Sequence, residues 1–259
     1  MTRRTIDVHA HIGRTVANGI GQSVDELIAR MDRAGISEAL PSPAAADRQV
    51  DGIADTRRMN DLVAAAVAEH PERFPAGLGL VEVRHEEHAV HELVRIIDDL
   101  GLAGISVHPT LEGYYLDTPL RVDPLWEVLD DRGALCLMHS SPDPGSGEAP
   151  AAVRSVVSRF PRVTTFLGHA FLTPDQKSAS IEIVREFPHV YFDVAYQSDP
   201  AMTASLVEEV GSEKVVFGTD TPFFDSALVR QSVLDAEISE QAKDDVLYAN
   251  VQRILDARH

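Results

Sequence analysis

The feature that most limits how this chain can fold is an alternation. Short apolar runs, each closed by Gly, Pro or a polar turn, are separated by amphipathic segments of helical spacing. Strand candidates lie at 5–11, 38–40, 74–80, 104–108, 134–139, 163–169, 190–194 and 215–219. Between them the apolar positions recur every three or four residues, at 56–69, 86–100, 125–132, 151–160, 174–187 and 201–210. The first helix is announced by Ser23 and Glu26, spaced as a capping box, and stopped by Gly35. Beyond Ser226 the chain reads as two or three further helices. Regular strand–helix alternation implies a parallel sheet, and eight units in about 250 residues is the size of a (β/α)8 barrel. A doubly wound open sheet would want a Gly-x-Gly-x-x-Gly turn after the first strand, which 13–21 does not supply. The second strand is expected to be broken by Pro41 and Pro43. No change of composition marks a linker, so one domain over 1–259 is expected.

The chain's 259 residues carry 23 basic against 41 acidic side chains, a formal net charge of -18. Such a surface repels phosphate backbones and anionic lipid, which argues against nucleic-acid and membrane partners and for a small-molecule ligand. The basic start, Met1 to Arg4, leads into a stretch interrupted by Asp7 and His9, so neither a signal peptide nor a membrane span is expected. A single cysteine, Cys136, rules out an intrachain disulfide and lies in an apolar run that suits a core residue. These features together predict a cytoplasmic protein.

The opening run, Thr5 to His11, places His9 and His11 two residues apart, on one face of a regular strand, with Asp7 on that face but deeper. Two imidazoles side by side suit a borderline-soft cation such as zinc. A barrel of this kind keeps its active site at the carboxyl ends of the strands, and metal-competent side chains accumulate there. His108 ends the fourth strand, His139 the fifth, His169 the sixth and Asp193 the seventh, while Asp220 follows the eighth. Five of eleven histidines at one end of a barrel, with two aspartates, point to a metal site and not to scattered surface polarity.

These stretches resemble the amidohydrolase superfamily, in the branch often called amidohydrolase 2. The likeness is carried by Ile6-Asp7-Val8-His9-Ala10-His11, by Gly104-Ile105-Ser106-Val107-His108-Pro109, and by Phe217-Gly218-Thr219-Asp220-Thr221-Pro222-Phe223. It continues in 247–255, and so spans nearly the whole chain. The resemblance implies a distorted TIM barrel with extra C-terminal helices. It implies that His9, His11, His139 and Asp220 are metal ligands, and that His169 either binds metal or acts as acid or base. Relatives with two metals bridge them through a carboxylated lysine or a glutamate. Here the only lysines, Lys177, Lys214 and Lys243, end no strand, so one divalent ion is expected: zinc first, manganese or iron as alternatives.

On that basis the expected activity is hydrolysis of an ester, lactone or amide by metal-activated water, with Asp220 as general base and His169 steadying the developing oxyanion. The alternative is non-oxidative decarboxylation of an aromatic or unsaturated carboxylate, with His169 or Asp220 as the acid. Short loops between the strands favour hydrolysis in this comparison. A catalytically inactive binding barrel is the third reading. Asp193 is expected to orient a ligating histidine, and His108 to serve behind the ligands or against substrate. Tyr114, Tyr115, Phe171, Tyr196 with Gln197, and Phe223 with Phe224 are the expected walls for a ring-bearing substrate, or a subunit contact in a homodimer. Arg14 and Arg48 are the early-loop candidates for binding a carboxylate.

Overall fold

The computed structural model describes residues 3–15, 19–44 and 51–258. Arg48 therefore lies outside the described residues. Eight parallel strands form a distorted (β/α)8 barrel: β1 (Ile6–Arg14), β3 (Glu38–Pro43), β4 (Leu78–Gly79), β5 (Gly104–Val107), β6 (Leu135–His139), β7 (Thr164–Gly168), β8 (Val190–Asp193) and β9 (Val215–Val216). A ninth, β2 (Gly21–Gln22), folds back antiparallel on the end of β1, so 13–21, expected to be loop, begins and ends in a small hairpin. The ladder runs unbroken from β4 to β9. Beyond β9 the barrel closes onto β1 through Val8 N–H to Phe217 O at 3.0 Å, Asp220 N–H to His9 O at 2.7 Å and His11 N–H to Thr221 O at 2.9 Å. On the other side β3 meets the approach to β4 through Ala39 N–H to Arg73 O at 2.9 Å, with no ladder between the two strands.

That seam explains why the prolines fail to break β3, which runs through both of them. Backbone N–H groups alternate in direction along a strand, so residues 41 and 43 aim the same way as Ala39, toward the seam. No ladder there asks for their missing donors. The third strand is shorter than the expected 74–80 because only Leu78 and Gly79 pair with β5.

The outer layer follows the predicted helices with shifted ends. These are α1 (Val24–Ala34), α2 (Ile53–Glu69), α3 (Glu87–Val94), α4 (Pro109–Glu112), α5 (Pro119–Asp131), α6 (Pro150–Val157), α7 (Pro174–Glu186) and α8 (Pro200–Val210), with α9 (Ser226–Asp235), α10 (Glu240–Asp244) and α11 (Asn250–Asp256) closing the chain. At α1 the capping box is complete: Glu26 N–H donates to Ser23 Oγ at 3.2 Å, and Ser23 N–H to Glu26 Oε2 at 2.7 Å. Gly35 ends the helix at φ 70. Helix α5 begins six residues earlier than the apolar periodicity indicates, because Pro119 suits a first turn that has no need of its N–H.

Two apolar layers result. Inside the barrel, Ile6, Val8, Leu40, Leu78, Leu135, Leu137, Phe166 and Val216 pack together, with Val251 and Leu255 of α11 joining them. A second layer, including Trp126, Phe192 and Phe217, lies between strands and helices.

One irregularity decides the site. Between Asp7 and Ala10 the register of β1 against β3 slips by one residue: Asp7 faces Ala39, but Ala10 faces Pro41. The extra residue makes a β-bulge, so strict alternation fails there. Val8 joins the interior cluster, and His9, next in sequence, also turns inward. Asp7 therefore does not share the face of His9 and His11, contrary to the expectation from simple alternation. It points to the β1–β9 seam instead, where it accepts from His9 N–H at 2.9 Å, Thr219 N–H at 3.0 Å and Thr219 Oγ1–H at 2.6 Å.

Candidate metal centre and active site

His9, His11 and His139 each have Nδ1 against a partner, which leaves Nε2 for the centre. His9 Nδ1 lies 2.5 Å from Asp193 Oδ2 at the end of β8, both side chains fully buried. His11 Nδ1 pairs with Ser42 Oγ at 2.9 Å. His139 Nδ1–H donates to Val107 O at 2.9 Å. Such anchoring of the far nitrogen sets tautomer and ring direction in metal sites. On the inner side His9 Nε2 lies 3.3 Å and His11 Nε2 3.2 Å from Asp220 Oδ1, and His169 Nε2 lies 3.7 Å from Asp220 Oδ2. Ligand atoms of His9, His139, His169 and Asp220 all fall within 4.8 Å of one another. His11 stands just beside this group through Asp220.

Two glycines make room for the cluster. A Cβ at Gly218 would overlap Asp193 Oδ1 and come within 2.7 Å of His9 Cβ, and one at Gly168 would lie 3.1 Å from His9 Cε1. Only hydrogen at these positions lets His9 and Asp193 meet. Three side chains of the mouth are held at positive φ without being glycine: His169 at 58, Tyr196 at 64 and Asp220 at 63. Left-handed backbone at such residues stores strain that the surroundings must over-determine. For His169 the restraint is visible in Gln176 of α7. Its Nε2 donates to His169 O at 2.9 Å and to Ser140 Oγ at 3.2 Å, while its Oε1 accepts from Leu172 N–H at 2.9 Å.

The electrostatics suit a cation. Burial disfavours charge on Asp220, yet His9 and His11 outweigh it and hold the carboxyl well below its usual range. Burial likewise opposes a proton on His9, but Asp193 and Asp220 together push it up to about 10. Burial pushes His139 well below the ordinary imidazole range and His169 down to about 3, which keeps their lone pairs unprotonated. His9 Nε2 is buried and has no hydrogen-bond partner. A fully buried nitrogen without a partner, ringed by imidazoles and a carboxylate, fits a divalent ion.

The remaining expected residues separate into two groups. Tyr196, half exposed, sets its ring 5.4 Å from His169 and 5.2 Å from Phe224, and Phe223 lies 5.7 Å from His11. These three aromatics border the centre. Tyr114 and Phe171, expected as walls, are instead buried in the layer between strands and helices, where their apolar area is better covered. Tyr115 is 53% exposed. Gln197 turns to Thr203 and Ser232, and Arg14 to Gly19 O. His108 stacks on His139 at 4.5 Å with its Nδ1 3.1 Å from Glu148 Oε2. Sequence reasoning missed Ser42, Glu148, Gln176 and the two glycines. Gly218 alone carried a signal, lying two residues before Asp220 in a segment already singled out.

Fold and site together define a metal-dependent enzyme of the amidohydrolase superfamily. The amidohydrolase family signature matches residues 6–257, and the chain belongs to that family. It is 26% identical to the 2-amino-3-carboxymuconate-6-semialdehyde decarboxylase of Dictyostelium discoideum, over 76% of this chain and 65% of that protein, so it spans just under two thirds of that relative. It is 25% identical to a gamma-resorcylate decarboxylase of Polaromonas sp., over 89% of this chain and 86% of that one. Its fold superposes on a dihydroxybenzoic acid decarboxylase of Polaromonas sp., solved with manganese and 2-nitroresorcinol, at a TM-score of 0.81 with 18% identity, covering 99% and 98% of the two chains.

These relatives overturn the expectation of ester, lactone or amide hydrolysis: they are decarboxylases. The ligand set could not separate the two reactions, since a cation with open positions accepts either water or a carboxylate. Loop length, which had tilted the expectation, is not set by the reaction. No helix among the described residues is long and apolar enough to cross a membrane.

Proposed function

We propose that this protein is a divalent-metal-dependent, non-oxidative decarboxylase of a small aromatic or conjugated carboxylate. The observation that carries the reading is that curated relatives aligned over most of the chain are decarboxylases of such compounds. Both names describe a carboxylate set beside a hydroxyl or amino group, and a substrate of that pattern is proposed here too.

His9, His11, His139 and Asp220 would hold one ion, and no lysine stands near them to bridge a second. The nitrogen-rich set favours zinc, with manganese the competitor. Bound there, the ion would grip the substrate carboxylate and draw charge from it. The chain's own residues do the rest. Asp193, Ser42 and Val107 O keep the imidazoles aimed inward, and Tyr196, Phe223 and Phe224 flank a planar ring. His169, whose Nε2 lies beside Asp220 Oδ2, relays a proton from solvent to the substrate carbon as the C–C bond breaks, so that the electron pair of that bond takes the proton and CO2 departs. The sum is R–CO2− + H+ → R–H + CO2.

Metal-loaded protein should be incubated in deuterated water with hydroxybenzoates and with lactones. Release of CO2 with one deuterium on the carbon that carried it is the expected result. Acid release from a lactone without CO2 from any carboxylate would overturn the proposal.

A further inference from the structure

Past His9, the seam that closes the barrel onto β1 runs out of backbone donors. His11 N–H reaches Thr221 O at 2.9 Å, and Ala10 forms an isolated parallel bridge with Thr221. In a parallel ladder that went on, the His11 carbonyl would take the N–H two residues past Thr221. Pro222 has no N–H to give, and Phe223 N–H turns back to Asp220 O at 2.8 Å. A side chain takes the carbonyl instead: Gln22 Nε2 donates to His11 O at 2.8 Å and lies 3.5 Å from Thr221 Oγ1. One amide therefore touches both edges of the seam.

Gln22 is brought there by the short hairpin of β1 and β2, in which Gly13 faces Gln22 and Arg14 faces Gly21. A Cβ at Gly21 would overlap Gly13 O and crowd Arg14 Cα, so only glycine lets the two strands come this close. Gln22 is buried. Because a carbonyl can only accept, the amide nitrogen must face His11 O. That leaves Oε1 buried with no hydrogen-bond partner among the described residues. An apolar side chain of the same length would fill the space without an unpaired acceptor, so packing alone does not account for the amide.

The clasp bears on the ligand that stands furthest from the rest. His11 Nε2 faces Asp220 Oδ1 at 3.2 Å, yet His11 lies outside the group of His9, His139, His169 and Asp220 whose ligand atoms fall within 4.8 Å of one another. Asp220 stands one residue before Thr221, at φ 63. How the backbone at His11 sits against the backbone at 220 and 221 therefore decides whether the His11 ring reaches an ion held by the others.

We propose that Gln22 is a positioning residue of this centre: its amide replaces the missing rung between β1 and the loop of Asp220, and so sets the reach of His11 to the metal ion. The inference rests on the reading of His11 and Asp220 as ligands, and adds the residue that decides whether His11 is one.

Titration of the metal-free protein with cobalt(II) chloride tests this without turnover, since the visible bands of bound cobalt report on its ligands. Gln22→Met, which keeps the length and loses the donor, should bind cobalt about ten- to a hundredfold more weakly, with bands like those of His11→Ala. In a His11→Ala background the same change should cost less than about twofold, because the residue through which Gln22 acts is gone. If Gln22→Met does not fold, Gln22→Leu serves for the same comparison. Bands and affinity like those of wild type in the variant, even with a lower thermal midpoint, would make Gln22 a structural residue and overturn the proposal. An equal loss with and without His11 would overturn it too. Wild type that takes up no cobalt, or His11→Ala that leaves bands and affinity as they were, overturns the ligand reading along with it.

Discussion

Oδ2 of Asp193 and Nδ1 of His9 lie 2.5 Å apart in a spot from which solvent is excluded, although 184 residues separate them in sequence. The contact joins β8 to β1 across the inside of the barrel. It makes the first imidazole of the proposed metal site depend on a carboxylate 184 residues further along the chain. Asp193 Oδ1 also accepts from Ala195 N–H at 2.9 Å, so the orienting group is itself held in place.

Replacing Asp193 by alanine should therefore weaken metal binding while leaving every metal-facing atom present. A loss of about ten- to a hundredfold in affinity is expected, as for other residues that orient a ligating histidine. Competition with a chromophoric chelator measures it. An affinity within twofold of wild type would mean that packing alone aims His9.

Gly218→Ala should be among the most damaging small substitutions in the chain. The new methyl would overlap the Asp193 carboxylate and crowd His9. Overpacking of this kind costs about 1–3 kcal/mol. Denaturant titration should show that loss together with loss of bound metal. Gly145→Ala is the control, since its Cβ would meet only Asp143 Oδ1 at 3.4 Å.

Gln176→Ala removes the side chain that holds His169 at φ 58 and leaves three polar groups without that partner, of which the Ser140 hydroxyl is buried. About 1–3 kcal/mol of stability should go with it. Metal should still bind, since Gln176 touches none of the four proposed ligands. Activity should fall mainly through kcat, which steady-state kinetics beside metal analysis would show.

The buried carboxyl of Glu112 supplies a pH dependence away from the metal. Burial pushes it up to about 8, from an ordinary value of 4.5. Between these two values the folded chain keeps a proton that the unfolded chain releases, so this group makes stability fall as pH rises. Glu112→Gln, which needs no proton to be neutral, should gain on wild type in thermal midpoint steadily from pH 5 to pH 8. Parallel melting curves across that range would contradict the assignment.

Changing both His9 and His11 to alanine should abolish metal binding and leave a folded barrel, because the interior cluster of Ile6, Val8, Leu135, Leu137 and Phe166 does not include them. Metal analysis and far-ultraviolet circular dichroism on the same sample decide it. Metal retained at one equivalent would remove β1 from the site.

Much of this architecture is legible in the linear chain because its signals are local. Alternating apolar periods, the Ser23–Glu26 cap and Gly35 depend on neighbours within a few residues, and the strand–helix count follows from them. The histidines and aspartates were likewise readable, since a barrel gathers strand ends at one mouth whatever its other details. Pro41 and Pro43 misled because a proline's cost depends on whether a neighbouring strand asks for its N–H. At the seam beside β3 none does.

The sequence by itself determined the barrel, the strand ends and the residue types that meet there. Tertiary structure alone decided which way those residues face and what holds them. The bulge that turns Val8 and His9 both inward, and sends Asp7 to the seam, comes from the one-residue register slip between β1 and β3, which no pattern within β1 encodes. The pairings His9–Asp193, His11–Ser42 and His108–Glu148 join strands and loops far apart in the chain, and their distances exist only once the sheet has closed. Local spacing sets the period of a strand. A contact across a barrel depends on register and closure, which belong to the whole fold.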